Sequence, residues 1–227
     1  MATTSSTSSD SSLVSITPAA KSAKSTDEVA QTLRGMRFTL FVCAVMTWGW
    51  GFLTLINMKG VTLPMSMSLP LLVAIPLFLL ALRFTLRIRG LRGPRLFATR
   101  RSVFWYFTGL VVEIIGCALA VIIARLSHHP EYVIPGDTLI VGLHFLFLAI
   151  AFNEKRQYLT LAVFCLTALL VPLTVPRTFT VGPISTLSTG GSGWMIVTGL
   201  IGLLWLSLVF VRLYSEGMRA TFTLRQD

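Results

Sequence analysis

The sequence predicts an all-α integral membrane protein, a bundle of six transmembrane helices with a disordered N-terminal tail. Two observations carry this fold class. Of the 227 residues, 54% are hydrophobic and only 12% are charged, whereas soluble domains carry about 25% charged residues. In addition, six apolar stretches each approach the length of about 20 residues that a helix needs to cross the hydrocarbon core of a bilayer.

The tail is predicted to cover residues 1–33, and the transmembrane domain to cover residues 34–227. Residues 1–33 are rich in Ser, Thr and Ala and hold almost no large apolar side chains. Such a segment cannot bury enough apolar surface to build a core, which favours disorder. No apolar segment follows a basic start, so the tail is not a secretory signal.

The transmembrane domain divides into six predicted spans. Their approximate bounds are 38–56, 65–82, 103–124, 133–152, 158–175 and 193–213. Because the bilayer core offers no water to backbone groups, each span must be a helix or part of a closed barrel. Unbroken apolar runs argue against the alternating pattern of a barrel. The second span contains Pro70 and Pro76, each of which removes a backbone donor and bends the helix.

The basic residues predict the orientation. Of the 19 Lys and Arg residues, four precede the first span, seven lie between the second and third, two lie between the fourth and fifth, and three follow the sixth. The other three are Lys59, Arg125 and Arg177. Since short loops rich in Lys and Arg stay in the cytoplasm, both termini are predicted to be cytoplasmic, in a bacterial inner membrane.

The same charges predict the partners. The formal net charge is +10, but the basic residues stand beside apolar stretches instead of interleaving with a soluble fold. This pattern predicts contact with the lipid bilayer and its anionic headgroups, chiefly along the loop that runs from Arg83 to Arg101, and it argues against nucleic acid. Association into a homo-oligomer or with another membrane protein stays open.

Three ionisable residues fall within predicted spans, namely Glu113, Asp137 and His144. Ionisable side chains in a membrane rarely face lipid. Glu113 lies about ten residues into the third span and His144 about eleven residues into the fourth. At 1.5 Å per residue each is roughly 15 Å deep, near the midplane. A short loop joins the two helices, so they are antiparallel neighbours and these two side chains are expected to meet.

The surrounding residues support this pairing. Gly116, Ala120 and Ala124 share a helix face with Glu113, and small residues at such intervals let helices approach closely. Asp137 precedes His144 by seven residues, which is two turns along the same side of the helix. It also follows Pro135 and Gly136, where a carboxylate could cap the helix start. We therefore predict a polar site of Glu113, His144 and Asp137.

The stretch "VGLHF", Val141 to Phe145, follows a helix start that contains Pro135. With a glutamate in the preceding helix, this pattern resembles a family of small bacterial multi-pass membrane proteins of unknown function. The resemblance covers about a quarter of the chain. It implies a role for Glu113 and His144 together, and it implies no particular chemistry.

Two function classes remain open from the sequence. In the first, the protein is a small transporter, or an ion- or ligand-responsive protein, built around a midplane Glu–His pair. In the second, it is a non-enzymatic scaffold or assembly partner in which the pair only locks helix packing. An enzyme is disfavoured, because no nucleophile motif or phosphate-binding loop is present. No cofactor is expected, and neither the cysteine spacing nor the adjacent His128 and His129 predicts a metal site.

Overall fold

The structure, a computed structural model, describes residues 18–89, 100–152, 154–182, 184–187 and 191–223. Six helical segments in these residues are long and apolar enough to cross a membrane. This confirms the predicted all-α, multi-pass membrane fold.

The described residues form seven α-helices and one short β-hairpin. In chain order the elements are α1 (Pro18–Ile56), α2 (Leu63–Ser68), α3 (Leu71–Ile88), α4 (Arg100–Leu126), α5 (Val133–Phe152), α6 (Gln157–Thr174), β1 (Thr180–Val181), β2 (Ile184–Ser185) and α7 (Ser192–Thr223). A 3-10 turn, Pro130–Tyr132, leads directly into α5. Together α2 and α3 make one span, so the seven helices account for six crossings.

Helix α1 begins earlier than the sequence analysis expected. It starts at Pro18 and therefore includes residues 18–33, which were assigned to the tail. The end of this segment is helical because it packs against the bundle. There Ala30 and Leu33 are each 1% exposed, and they continue the buried helix face of Met36 and Leu40. This spacing of three and four residues is that of one helix face. The predicted disorder of residues 1–17 falls outside the described residues.

The second span is interrupted at its first proline. Helix α2 ends at Ser68 and α3 begins at Leu71, with Pro70 at the break. The indole Nε1 of Trp48, on α1, donates a hydrogen bond to the Met67 carbonyl oxygen at 3.0 Å. The predicted bend thus takes the form of a break, and a tryptophan from the neighbouring helix stabilises it.

Helices α3 and α7 continue well past the ends of their predicted spans. Helix α3 continues to Ile88 and α7 continues to Thr223. Arg83 and Arg87 consequently lie on α3 and not in a loop, and the Arg87 guanidinium lies 4.3 Å from the centre of the Phe222 ring on α7. Long arginine stems can cover apolar surface while the charged group stays at the interface. Residues 90–99, the rest of the predicted basic loop, lie outside the described residues.

Helix α1 packs against α7 and α3, while α5 lies between α4 and α6, and α6 also contacts α7. The core contains large side chains from several helices, including Phe84, Phe164 and Phe210. Helix α4 lies at the edge of the bundle, and in it the buried residues are Gly109 and Ala124. Most of the apolar surface of α4 is therefore turned outward, where lipid would surround it.

Contacts between loops show which loops lie at each end of the bundle. At one end, which we call the hairpin end, β1 and β2 pair antiparallel and Met58 bridges to Thr186. The loop after α4 joins the same end, because Glu131 contacts Arg177. At the opposite end, which we call the terminus end, Arg156 pairs with Glu216 of α7. The loops that follow α1, α4 and α6 thus share one end, as expected for alternating crossings.

Candidate functional site

The site between α4 and α5 is possible because glycines bring the two helices close together. A methyl group placed on Gly116 would lie 2.9 Å from Ile140, and one on Gly136 would lie 3.0 Å from Ala120. A methyl group on Gly109 would lie 3.5 Å from the His144 ring. Two of the small residues that the sequence placed on one face of α4, Gly116 and Ala120, therefore do face α5, and they allow side chains from the two helices to meet.

The structure brings Glu113 and His144 together. The His144 Nδ1 atom lies 3.0 Å from the Glu113 Oε2 atom. The exposed fraction of the side chain is 24% for Glu113 and 13% for His144. Despite the short distance, Nδ1 makes no aligned hydrogen bond within the described residues, so the carboxylate oxygen lies off the direction in which a ring N–H would point. The two groups are thus within ion-pair distance of each other.

Both residues lie near the middle of their helices. Helix α4 has 27 residues, and Glu113 is the central one, with residues 100–112 before it and 114–126 after it. His144 lies in the middle third of the 20-residue helix α5. The pair therefore lies near the middle of two helices that are both long enough to cross the membrane.

Asp137 lies too far into α5 to cap the start of the helix. The 3-10 turn runs into α5 at Val133, so Asp137 lies inside the second turn and cannot cap the helix start. Its Oδ1 atom is buried and has no hydrogen-bond partner within the described residues. The Cys117 thiol, on α4, interacts with the Asp137 carboxyl. The capping interpretation is therefore wrong. Asp137 does lie at the interface with α4, on the side of the helix that its spacing from His144 indicates.

Cys117 is the residue that connects these positions. It lies one turn after Glu113 on α4, and its thiol interacts electrostatically with both the Asp137 and the Glu113 carboxyl groups. The polar side chains of the interface thus form a column of Asp137, Cys117, Glu113 and His144. Cys117 was not among the predicted site residues, although its spacing of four residues from Glu113 indicates the same helix face.

The unpaired atoms of this column contrast with several threonines of the membrane-spanning helices, one of them on α5 itself. Several threonine hydroxyls donate a hydrogen bond to the carbonyl oxygen four residues earlier in their own helix, which satisfies them without a partner from another helix. These are Thr39, Thr54, Thr85, Thr138, Thr167 and Thr174. Carboxyl and imidazole groups have no equivalent partner within their own helix, so the column depends on contact between α4 and α5.

A second charged cluster, which sequence reasoning missed, lies at the hairpin end. The Glu131 Oε1 atom lies 3.0 Å from Arg177 Nη1, as an ion pair, and 3.2 Å from His129 Nδ1. The Arg177 guanidinium also lies 5.6 Å from the centre of the Trp194 ring. The His129 ring is therefore in contact with the Glu131 carboxylate. Across the described residues, no three His, Cys, Asp or Glu side chains are grouped to hold a metal ion.

A third cluster lies at the terminus end. Arg156 Nη1 donates to Glu216 Oε2, and Arg212 Nε donates to Glu216 Oε1 at 3.1 Å. Glu154 Oε1 lies 4.0 Å from Arg156 Nε. Burial raises the pKa of the Glu154 carboxyl above its usual range, an effect that Arg156 opposes and Glu216 reinforces. This cluster joins the α5–α6 connection to α7.

The chain was compared with protein-family models, with curated proteins and with solved structures, and no match was found. The functional conclusion therefore depends on the geometry of the described residues.

Proposed function

We propose that the protein is a small transporter or an ion-responsive protein of the bacterial inner membrane, in which Glu113 and His144 bind and release a proton. The observation that carries this proposal is the 3.0 Å contact between the two ionisable side chains in the middle of two crossing helices. Ionisable groups at this depth are costly, and they commonly mark ion or proton pathways. The proposal also includes the resemblance of Val141–Phe145 to a family of bacterial membrane proteins, which implies a joint role for Glu113 and His144.

The chemistry of the pair suits a proton site. Histidine changes its charge between about pH 5 and 8, the range of physiological pH changes. A neighbouring carboxylate favours the protonated ring, whereas burial favours the neutral forms of both groups. Gain or loss of one proton therefore changes the net charge of the interface between α4 and α5.

The second candidate is a scaffold in which the pair only holds α4 against α5. The observation in its favour is the close glycine packing of this interface, since Gly109, Gly116 and Gly136 would each place a methyl group within about 3 Å of the opposite helix. A hydrogen bond between membrane helices contributes on average about 0.6 kcal/mol. In this case His144 would affect stability and would have no role in proton movement.

Replacing His144 with glutamine distinguishes the two. We expect wild-type protein in phosphatidylcholine vesicles to carry a proton flux, driven by a potassium diffusion potential and followed with an internal pH-sensitive dye. H144Q should abolish that flux and E113Q should do the same, while the fold stays intact by circular dichroism, because glutamine fills a similar space without titrating.

The matched control is H128Q, which makes the same change at an exposed histidine of the loop after α4. This variant should retain the wild-type flux. If wild-type vesicles leak protons no faster than protein-free vesicles, and H144Q only lowers stability in detergent by about 1 kcal/mol, the scaffold is correct and the proton site is not.

We also propose that both chain termini are cytoplasmic, so that the hairpin end faces outward. The support is the distribution of basic residues, since cytoplasmic loops carry the excess of Lys and Arg. In intact cells, a membrane-impermeant maleimide should label V181C on the exposed hairpin and should label K155C only after permeabilisation. The wild-type chain, whose three cysteines lie within the spans, provides the background. Labelling of K155C alone in intact cells would reverse the orientation.

A further inference from the structure

The interface between α4 and α5 runs from one end of the bundle to the other. Three contacts at which a glycine leaves little or no room for a methyl group follow one another along it, namely Gly136 with Ala120, Gly116 with Ile140, and Gly109 with Phe147. Helix α5 begins next to Glu131 at the hairpin end, so the first contact lies nearest that end and the last lies nearest the terminus end. The Glu113–His144 pair lies between the second and third contacts and divides the interface into two halves.

The half toward the hairpin end is polar. Asp137 lies four residues after the start of α5, about 6 Å into the helix. Cys117 lies on α4 about 6 Å closer to the hairpin end than Glu113, and it interacts with the carboxyl groups of both Asp137 and Glu113. Polar side chains therefore follow one another at intervals of no more than about one helix turn from the hairpin end to the pair.

Two buried polar atoms lie at the ends of this half. Asp137 Oδ1 and His144 Nδ1 are both buried, and neither has a hydrogen-bond partner within the described residues. Buried polar groups that the protein does not satisfy usually bond to ordered water. The two residues are seven positions apart, about 10 Å along α5, a distance that a few hydrogen-bonded water molecules can bridge.

The half toward the terminus end is apolar and aromatic. Beyond the pair, α5 continues to Phe152 without a polar side chain. The Phe147 side chain covers Gly109 so closely that a methyl group there would lie 2.6 Å from it, and the Phe147 ring centre lies 6.2 Å from that of Trp105 on α4. The rings of Tyr106 and Phe152 lie 6.3 Å apart nearer the same end. Aromatic rings therefore occupy the interface where a polar path would have to continue.

We propose that the Glu113–His144 pair exchanges protons with the hairpin end alone in this conformation, and that Asp137 is the entry group. This inference rests on the proposed proton site and adds the side from which it is reached. The Asp137 carboxylate takes a proton from water at the hairpin end and passes it through ordered water to the pair, which returns Asp137 to its charged form. Phe147 and Trp105 close the other side, so a proton leaves toward the terminus end only when α4 and α5 separate there.

Silver ions test the access to Cys117 without a measurement of flux. Ag⁺ is close to a water molecule in size, binds thiols tightly and does not cross lipid. In full-length chains that carry C43A and C165A, Ag⁺ added to right-side-out or inside-out membrane vesicles should block later labelling by a maleimide in dodecyl sulfate. It should block Cys117 from the side that blocks V181C and not from the side that blocks K155C, each of these measured as the single cysteine of its chain.

L119C, again as a single cysteine, is the matched control for depth. Leu119 lies on α4 two residues nearer the hairpin end than Cys117, and it is 49% exposed on the outer surface of the bundle, where lipid surrounds it. Ag⁺ should block L119C from neither side. The proposal is overturned if Cys117 is blocked from the K155C side, from both sides or from neither, or if L119C is blocked as fast as Cys117.

D137N tests the role of Asp137 in the vesicle flux assay. Asparagine fills the same space but carries no proton, so the flux should fall about a hundredfold, the lower range for loss of a positioned proton-transfer group. D27N makes the same change outside the spans and should keep the wild-type flux. Formate, a small acid that can replace the missing carboxyl group, should restore part of the flux in D137N and none in H144Q.

The outcomes separate this inference from the proposed function. Absence of proton flux from wild-type vesicles would overturn both. Wild-type flux in D137N, or a loss that formate does not restore, would overturn the role of Asp137 alone and would leave Glu113 and His144 as the proton site.

Discussion

Replacement of Gly199 with leucine is expected to prevent recovery of folded protein, and G199A is expected to lower the free energy of unfolding by about 1 to 3 kcal/mol, the usual cost of overpacking. Gly199 lies on α7 where that helix crosses α1. A methyl group on it would lie 2.9 Å from the Trp50 carbonyl oxygen and 3.1 Å from the Thr54 backbone nitrogen, and it would overlap the Thr54 hydroxyl. Backbone atoms cannot rotate away as a flexible side chain can, so the two helices must separate.

The matched control is G49A, on α1, where a methyl group meets nothing within 4 Å. That change should leave stability the same or raise it by up to about 1 kcal/mol, because alanine loses less backbone freedom than glycine in a helix. Unfolding by titration with a denaturing detergent, followed by circular dichroism, measures both variants. Equal losses for G199A and G49A would show that α1 and α7 do not cross at this point.

Truncation of Phe84 is expected to have the next largest effect. Phe84, on α3, is fully buried at 0% exposure. Its ring fills the space beside Gly217 on α7, where a methyl group would lie 2.6 Å from it, and its centre lies 6.3 Å from that of Tyr214. In a membrane, apolar surface gains little from leaving lipid, so the loss in F84A comes mainly from missing packing contacts and the cavity left behind. We expect a decrease of about 3 kcal/mol in the free energy of unfolding.

F107A serves as the control for this prediction. Phe107, on α4, is 54% exposed, so lipid can occupy the space that its ring leaves. The same detergent titration should show a decrease of less than about 1 kcal/mol, as for most exposed substitutions away from special features. If F107A were as destabilising as F84A, the outer face of α4 would be packed against protein and not against lipid.

The sequence by itself determined the membrane fold and the depth of its ionisable residues. A bilayer has a fixed thickness and leaves backbone groups no alternative to helices, so six long apolar runs are enough to define six crossings. Counting residues along a helix places Glu113 and His144 near its middle, and a short connection makes α4 and α5 neighbours. These two arguments predict that the side chains of Glu113 and His144 meet. In the structure, the His144 Nδ1 atom lies 3.0 Å from the Glu113 Oε2 atom.

Other local features could not be predicted from a single segment of the sequence, because they depend on contacts with neighbouring segments. The start of α1 was misjudged because composition alone does not show that Ala30 and Leu33 continue a buried helix face. Capping of α5 was one of two roles that the sequence offered for Asp137, since Pro135 and Gly136 suggest a helix start. Helix α5 begins at Val133, so Asp137 lies in its second turn, where its carboxyl group interacts with Cys117 on α4 and not with free backbone donors.

The charged clusters at the two ends were decided by tertiary structure alone. Arg156 and Glu216 are 60 residues apart in the chain, and Arg177 and Glu131 lie on loops separated by two whole helices. Apolar periodicity shows that a helix crosses the membrane, but lipid and protein are similarly apolar, so it does not show which helix lies beside it. The pairing of α1 with α7 and of α6 with α7 depends on how glycines and large side chains fit together across the whole bundle, and only the assembled helices determine that fit.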